Sequence, residues 1–95
     1  MSLIKIANRI KKLALVSLLP KNIKLKQFGW NKHNEANMWA DQMRKRGYSI
    51  FAEDSASDTL TLIAAENKDI ARKELIKAYS AYGISNLQPK LVNYK

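Results

Sequence analysis

The sequence predicts a small α+β domain in which a β-α-β-β-α-(β) core follows an N-terminal helix. Three observations carry this prediction. Apolar residues recur every third or fourth position in some segments and every second position in others, the periods of helices and strands. The three glycines, Gly29, Gly47 and Gly83, fall where one period gives way to the next. The chain has 95 residues, 46% of them hydrophobic, which suits one domain with a real core and little stability to spare.

Leu3, Ile6, Ala7, Ile10, Leu13, Ala14 and Leu18 line one face of a helix, with Lys5, Arg9 and Lys12 opposite. Pro20 stops it, since proline lacks the backbone donor and clashes with the preceding turn. Residues 1–20 are therefore expected to form a basic amphipathic helix, and residues 22–95 the core, all within a single domain of residues 1–95. From Asn22 to Phe28, Ile23 and Leu25 alternate with Lys24 and Lys26, as in a half-buried strand. Asn31 or Asn34 can cap the helix that follows, whose stripe is Ala36, Trp39, Ala40 and Met43, and Gly47 supplies its left-handed end. Tyr48–Ala52 and Thr59–Ala65 read as strands joined by the polar turn Glu53–Asp58. Asn67 caps a second core helix with a stripe of Ala71, Leu75, Ala78, Tyr79 and Tyr82, ended by Gly83. After Pro89, Lys90–Tyr94 can add a short edge strand. This order is that of the split βαβ, or ferredoxin-like, arrangement. It leads to an antiparallel sheet with both core helices on one face.

Charge is distributed unevenly. Seventeen bases and eight acids give a net +9, and residues 1–32 hold eight of the bases and no acid. Residues 33–67 hold three bases and six acids, and residues 68–95 six bases and two acids. An acid-free basic segment sustains a positive field that attracts phosphate polymers or anionic lipid; solubility is the plain alternative. With no cysteine, disulfide frameworks, thiolate metal sites and cysteine nucleophiles are excluded. No apolar run reaches the roughly 18–20 residues that span a bilayer. The Leu13–Leu19 run is followed by Pro20-Lys21 and not by a small-residue cleavage site, so it reads as folded helix and the expected location is the cytoplasm.

The inventory for catalysis is thin. His33 is the sole histidine, and with Asn37 and Asp41 on its helix face it makes a poor ligand set; no metal or organic cofactor is expected. No serine or threonine has a histidine base at a recognisable spacing, and no glycine-rich phosphate loop is present. Glu53, Asp54 and Asp58 are explained by a solvated turn. The expectation is a binding protein, not an enzyme.

The strand faces suggest what it binds. If Ile23, Leu25, Ile50, Leu60 and Leu62 face the helices, the other face carries Lys24, Lys26, Phe28, Ser49, Phe51, Thr59, Thr61 and Ile63. Two phenylalanines beside two lysines on an open sheet are the physics of single-strand readers, in which rings stack bases and ammonium groups hold phosphates. The competing reading is that the N-terminal helix buries its apolar face there, which makes Phe28, Phe51 and Ile63 core. Arg72, Lys73 and Lys77 mark the outer face of the second core helix, and Arg44-Lys45-Arg46 suits a helix C-terminus.

Lys26-Gln27-Phe28-Gly29, Glu35-Ala36, Ala40, Gly47-Tyr48, Leu60, Leu62, Ala71 and Gly83-Ile84 resemble the layout of SPOR domains over roughly residues 24–92. The resemblance implies a ferredoxin-like fold and peptidoglycan glycan binding on the sheet. Ala64-Ala65-Glu66 departs from it, standing where that family has a Gly-Pro-aromatic turn. The leading expectation is a nucleic-acid-binding regulatory or accessory factor using Lys5, Arg9, Lys11, Lys12, Lys24, Lys26, Phe28 and Phe51. The alternative is a protein-interaction module that docks or self-associates through the N-terminal helix. Glycan binding is a third.

Overall fold

The structure, a computed structural model, describes residues 18–54, 59–81, 83–84 and 88–94. The expected N-terminal helix lies outside the described residues except for Leu18–Pro20, which form a turn leading into the core. Also outside them are the tip of the acidic turn, residues 55–58, and Tyr82.

The core runs β1 (Lys24–Gly29), α1 (His33–Lys45), β2 (Ser49–Glu53), β3 (Thr59–Ala65), α2 (Lys68–Ala81) and β4 (Leu91–Asn93). The α+β class, the element order and a four-stranded antiparallel sheet are as expected. Local chemistry sets the boundaries. Both helices end in the same motif. The Gly47 N–H donates to the Arg44 carbonyl and the Tyr48 N–H to that of Met43; Gly83 and Ile84 repeat this with Ser80 and Tyr79. Such an end requires a left-handed residue, and Gly47 and Gly83 adopt φ of 96° and 79°. The apolar pairs Tyr48/Met43 and Ile84/Tyr79 each join one core cluster, which locks the exit of the chain. Asn67 caps α2 as expected, its Oδ1 accepting from the Ile70 N–H at 2.9 Å. No asparagine caps α1. Lys32 holds the N-cap position without a side-chain bond, because the turn closed by its N–H to the Gly29 carbonyl sets Asn31 one residue too early.

The sheet order is β1-β3-β2-β4. β3 is the central partner, with Lys24 opposite Ala64 on one side and Ser49 opposite Ala65 on the other. β4 extends the edge of β2, whereas the ferredoxin-like arrangement places the last strand beside β1. This decides where the helices go. β1 and β2 are parallel with β3 between them, and β3 and β4 are parallel with β2 between them. Both crossovers therefore step the same way across the sheet from strands of opposite direction. Crossovers of the usual single hand must then lie on opposite faces.

The core agrees with that geometry. α1 contributes Ala36, Ala40 and Met43 to a cluster with Phe28, Ile50, Ala52, Leu62 and Ala64. α2 contributes Ala71, Leu75, Ala78 and Tyr79 to another with Leu25, Phe51, Ile63, Ala65 and Leu91. Within each strand the two sets alternate, so the sheet is the middle of three layers. The expectation of both helices on one face is corrected. So is the grouping of Leu25 with Ile50 and Leu62, which face opposite ways.

Candidate nucleic-acid interface

The sheet offers no stacking platform. Phe28 and Phe51 are each only 6% exposed and point into different cores. The register shows why: Phe28 lies opposite Leu60 and Phe51 opposite Ile63, three positions apart on β3 and so on opposite faces. Phe28 packs edge-on against Trp39, with centroids 6.1 Å apart at 61°. Lys26 lays its Nζ 5.5 Å from the centre of the Phe28 ring. Both rings are core residues, Phe28 in the cluster of α1 and Phe51 in that of α2, and so are not free to stack on bases; the N-terminal helix of the competing reading lies outside the described residues. Lys24 is half-buried and Lys26 exposed on β1, which has a partner on one side only among the described residues. Lysines there also discourage edge-to-edge pairing with other chains. Lys5, Arg9, Lys11 and Lys12 lie outside the described residues.

What the fold does assemble is a basic end. The starts of β1 and β2, the end of β3, the end of α1 and the start of α2 meet at one end of the sheet, as the pairs Lys24–Ala64 and Ser49–Ala65 require. Lys21, Lys24, Lys45, Arg46 and Lys68 are placed at that end by their positions on or beside these elements, and among the described residues none has an ion-pair partner. Glu66 and Asp69, at the junction of β3 and α2, are carboxylates of the same end. Arg44 is engaged elsewhere: Nη1 lies 3.2 Å from Asp41, Nη2 donates to the Tyr94 carbonyl, and the guanidinium sits 6.0 Å over the Tyr94 ring. Residues 18–22 also arrive at this end, so the acid-free segment before them joins the fold here.

The other end is close to balanced. Lys32 meets Glu35 at 3.8 Å, Lys90 meets Asp54 at 3.7 Å, and Glu53 accepts from the Tyr79 hydroxyl at 3.2 Å. Burial, reinforced by the charge of Glu53 and this hydrogen bond, holds the Tyr79 phenol well above its usual range. A shallow cleft at this end is lined by Trp30, His33, Ala52, Glu53, Asp54, Thr59, Leu60 and Val92. His33 is exposed, and among the described residues no group of three or more His, Cys, Asp or Glu side chains stands close enough to hold a metal. No helix among them is long and apolar enough to cross a membrane.

Lys45, Arg46 and Lys68 were not singled out by sequence reasoning. The run at residues 44–46 is visible in the sequence, where the helix dipole accounts for part of it. Its nearness to Lys24 and Lys68 depends on strand order, which no local pattern carries.

Comparison with known proteins adds no assignment: no family model, no curated protein and no solved structure matches this chain. The similarity to SPOR domains thus rests on the α+β fold and its four-stranded antiparallel sheet alone. Among the described residues α1 and α2 each pack on one face of the sheet on which that resemblance places glycan binding.

Proposed function

We propose that this protein is a nucleic-acid-binding accessory factor that docks on the phosphate backbone through the basic end of its sheet. The observation that carries this reading is the collection of unpaired cations Lys21, Lys24, Lys45, Arg46 and Lys68 at the end where the basic N-terminal segment joins. Lys5, Arg9, Lys11 and Lys12, which precede that end in the sequence, and Lys26 on β1 add further positive charge. With both phenylalanines buried, recognition is of backbone and not of bases, so binding is insensitive to sequence and sensitive to salt.

Each phosphate neutralised on duplex DNA contributes about −0.9 to the log–log slope of affinity against salt. Four simultaneous contacts give a slope of about −3.6. Fluorescence anisotropy with single- and double-stranded DNA and RNA across a salt series measures it. Exchanging Lys45 and Arg46 for glutamine should flatten the slope by about two contacts' worth, roughly 1.8, with an unchanged melting temperature. Absence of binding to every one of these polymers at low salt refutes the reading.

One observation favours the alternative of a protein-interaction module. Trp30 is 70% exposed beside half-buried Leu60 and exposed Val92, in the cleft edged by Glu53 and Asp54. Exposed aromatic and aliphatic side chains grouped in this way mark partner surfaces. Trp30→Ala separates the two readings, since it leaves nucleic-acid affinity untouched if the basic end is the interface.

A further inference from the structure

Beside the start of α2 lies a depression of ≈ 210 Å³ lined by Lys68, Arg72, Gln88, Pro89, Lys90 and Leu91. Pro89 and Leu91 are buried and form its apolar floor. Three cations converge on it, and neither Glu66 nor Asp69 lines it. Lys68 and Arg72 stand one helical turn apart, where like charges repel. Lys68 is also the first residue of α2, the end of a helix that favours anions over cations. Neither Lys68 nor Arg72 has an ion-pair partner among the described residues. Helix stability does not account for this placement.

The geometry is prepared for an anionic ligand. The Arg72 Nη2 donates to the Gln88 side-chain oxygen at 3.2 Å, which orients the guanidinium and leaves its other donors, and the Gln88 amide, for a ligand. Lys90 stands across the depression. Its 3.7 Å contact with Asp54 joins two side chains each more than half exposed, a weak tie from which it can swing.

We propose that this depression binds a phosphate monoester: the terminal phosphate of a nucleotide or of a nucleic-acid end. Three cations match a group that carries nearly two negative charges at neutral pH better than the single charge of an internal backbone phosphate. The volume holds the phosphate and part of an attached sugar, with any base outside. The site goes beyond the basic-end reading, with which it shares only Lys68, so either can fail without the other.

The test is NMR titration of the full chain with a nucleoside 5′-monophosphate, the unphosphorylated nucleoside and inorganic phosphate, following the Arg72 side-chain N–H. A 5′-phosphorylated oligonucleotide and its 5′-hydroxyl counterpart form a second pair. The monophosphate should shift Arg72 and the nucleoside should not, and binding should strengthen as pH rises through about 6, where the second phosphate proton leaves. Inorganic phosphate binding as tightly as the monophosphate assigns the site to the free ion and overturns the proposed ligand. Arg72→Gln should weaken monophosphate binding about tenfold or more, because a charge-assisted hydrogen bond is lost. Gln88→Ala should weaken it less, and the Lys45/Arg46 double variant not at all. Equal binding by Arg72→Gln and the unaltered chain, or equal binding of the two oligonucleotides, overturns the proposal. Oligonucleotide binding that survives Arg72→Gln but fails in the Lys45/Arg46 variant supports the basic end and not this site. The reverse pattern does the opposite.

Discussion

Replacing Phe51 or Phe28 with alanine distinguishes a ring that fills a core from one that stacks on a ligand. A buried phenylalanine removes about 150–250 Å² from water, worth about 4–6 kcal/mol as an upper bound at 25 cal/mol per Å². Phe→Ala changes in cores cost about 3–5 kcal/mol. Phe51 belongs at the upper end. It sits on an interior strand in a cluster with Ile63, Leu75 and Tyr79, none of which has any exposed surface. Phe28 belongs at the lower end, near 3 kcal/mol. It lies on an edge strand beside a groove lined by Lys26, Met38 and Trp39, so solvent can enter the space that alanine leaves. At about 4–8 °C per kcal/mol, Phe28→Ala should lower the melting temperature by about 12–24 °C, and Phe51→Ala by more. Total stability for a domain this size is about 5–14 kcal/mol, so Phe51→Leu is the companion variant that stays folded, at a cost of about 1–1.5 kcal/mol. Thermal melts by circular dichroism read the stability, and anisotropy at 10 °C reads nucleic-acid affinity on the same samples. A variant that melts within about 2 °C of the unaltered chain yet loses affinity would refute the burial argument.

The remaining predictions are simpler. Because Tyr79 is held protonated in the fold while the unfolded chain ionises it above about pH 10, stability should fall there by about 1.4 kcal/mol per pH unit and be indifferent to this group below. Urea unfolding between pH 9 and 11 should show that slope reduced by one proton in Tyr79→Phe, and an identical slope would show that the phenol is not buried. Gly47→Ala should cost about 1–2 kcal/mol although its added Cβ meets nothing within 4 Å, since the cost lies in the left-handed backbone. Gly47→Asn should cost less, and denaturant midpoints that rank the two the other way would contradict the helix-end assignment.

Much of the fold is legible in the sequence because it is local. The third strand is read as Thr59–Ala65 and found there, and the stripe Ala71, Leu75, Ala78 and Tyr79 is buried as its spacing requires. The layering is not local. Alternation within a strand says that successive residues face opposite ways, but not which helix covers which face or which edge the last strand joins. One signal was present. Ile50-Phe51-Ala52 and Leu62-Ile63-Ala64-Ala65 are unbroken apolar runs, and a strand with one wet face does not carry them. The candidate interface was half legible for the same reason. Lys24 stands out from its alternation with Leu25, whereas its assembly with Lys45, Arg46 and Lys68 follows from β3 lying between β1 and β2.

That position of β3 also orders events during synthesis. β1 and β2 emerge first, and neither is the other's neighbour in the finished sheet. Until residues 59–65 slide between them, neither strand has its ladder and α1 has no complete surface to rest on. A nascent chain that ends at β2 is thus a helix and two unpaired strands, with Ile50, Phe51 and Ala52 open to any sticky neighbour. Completion of the seven-residue β3 gives α1 its surface and lets the first core close, while the second core waits for α2 and β4 to follow.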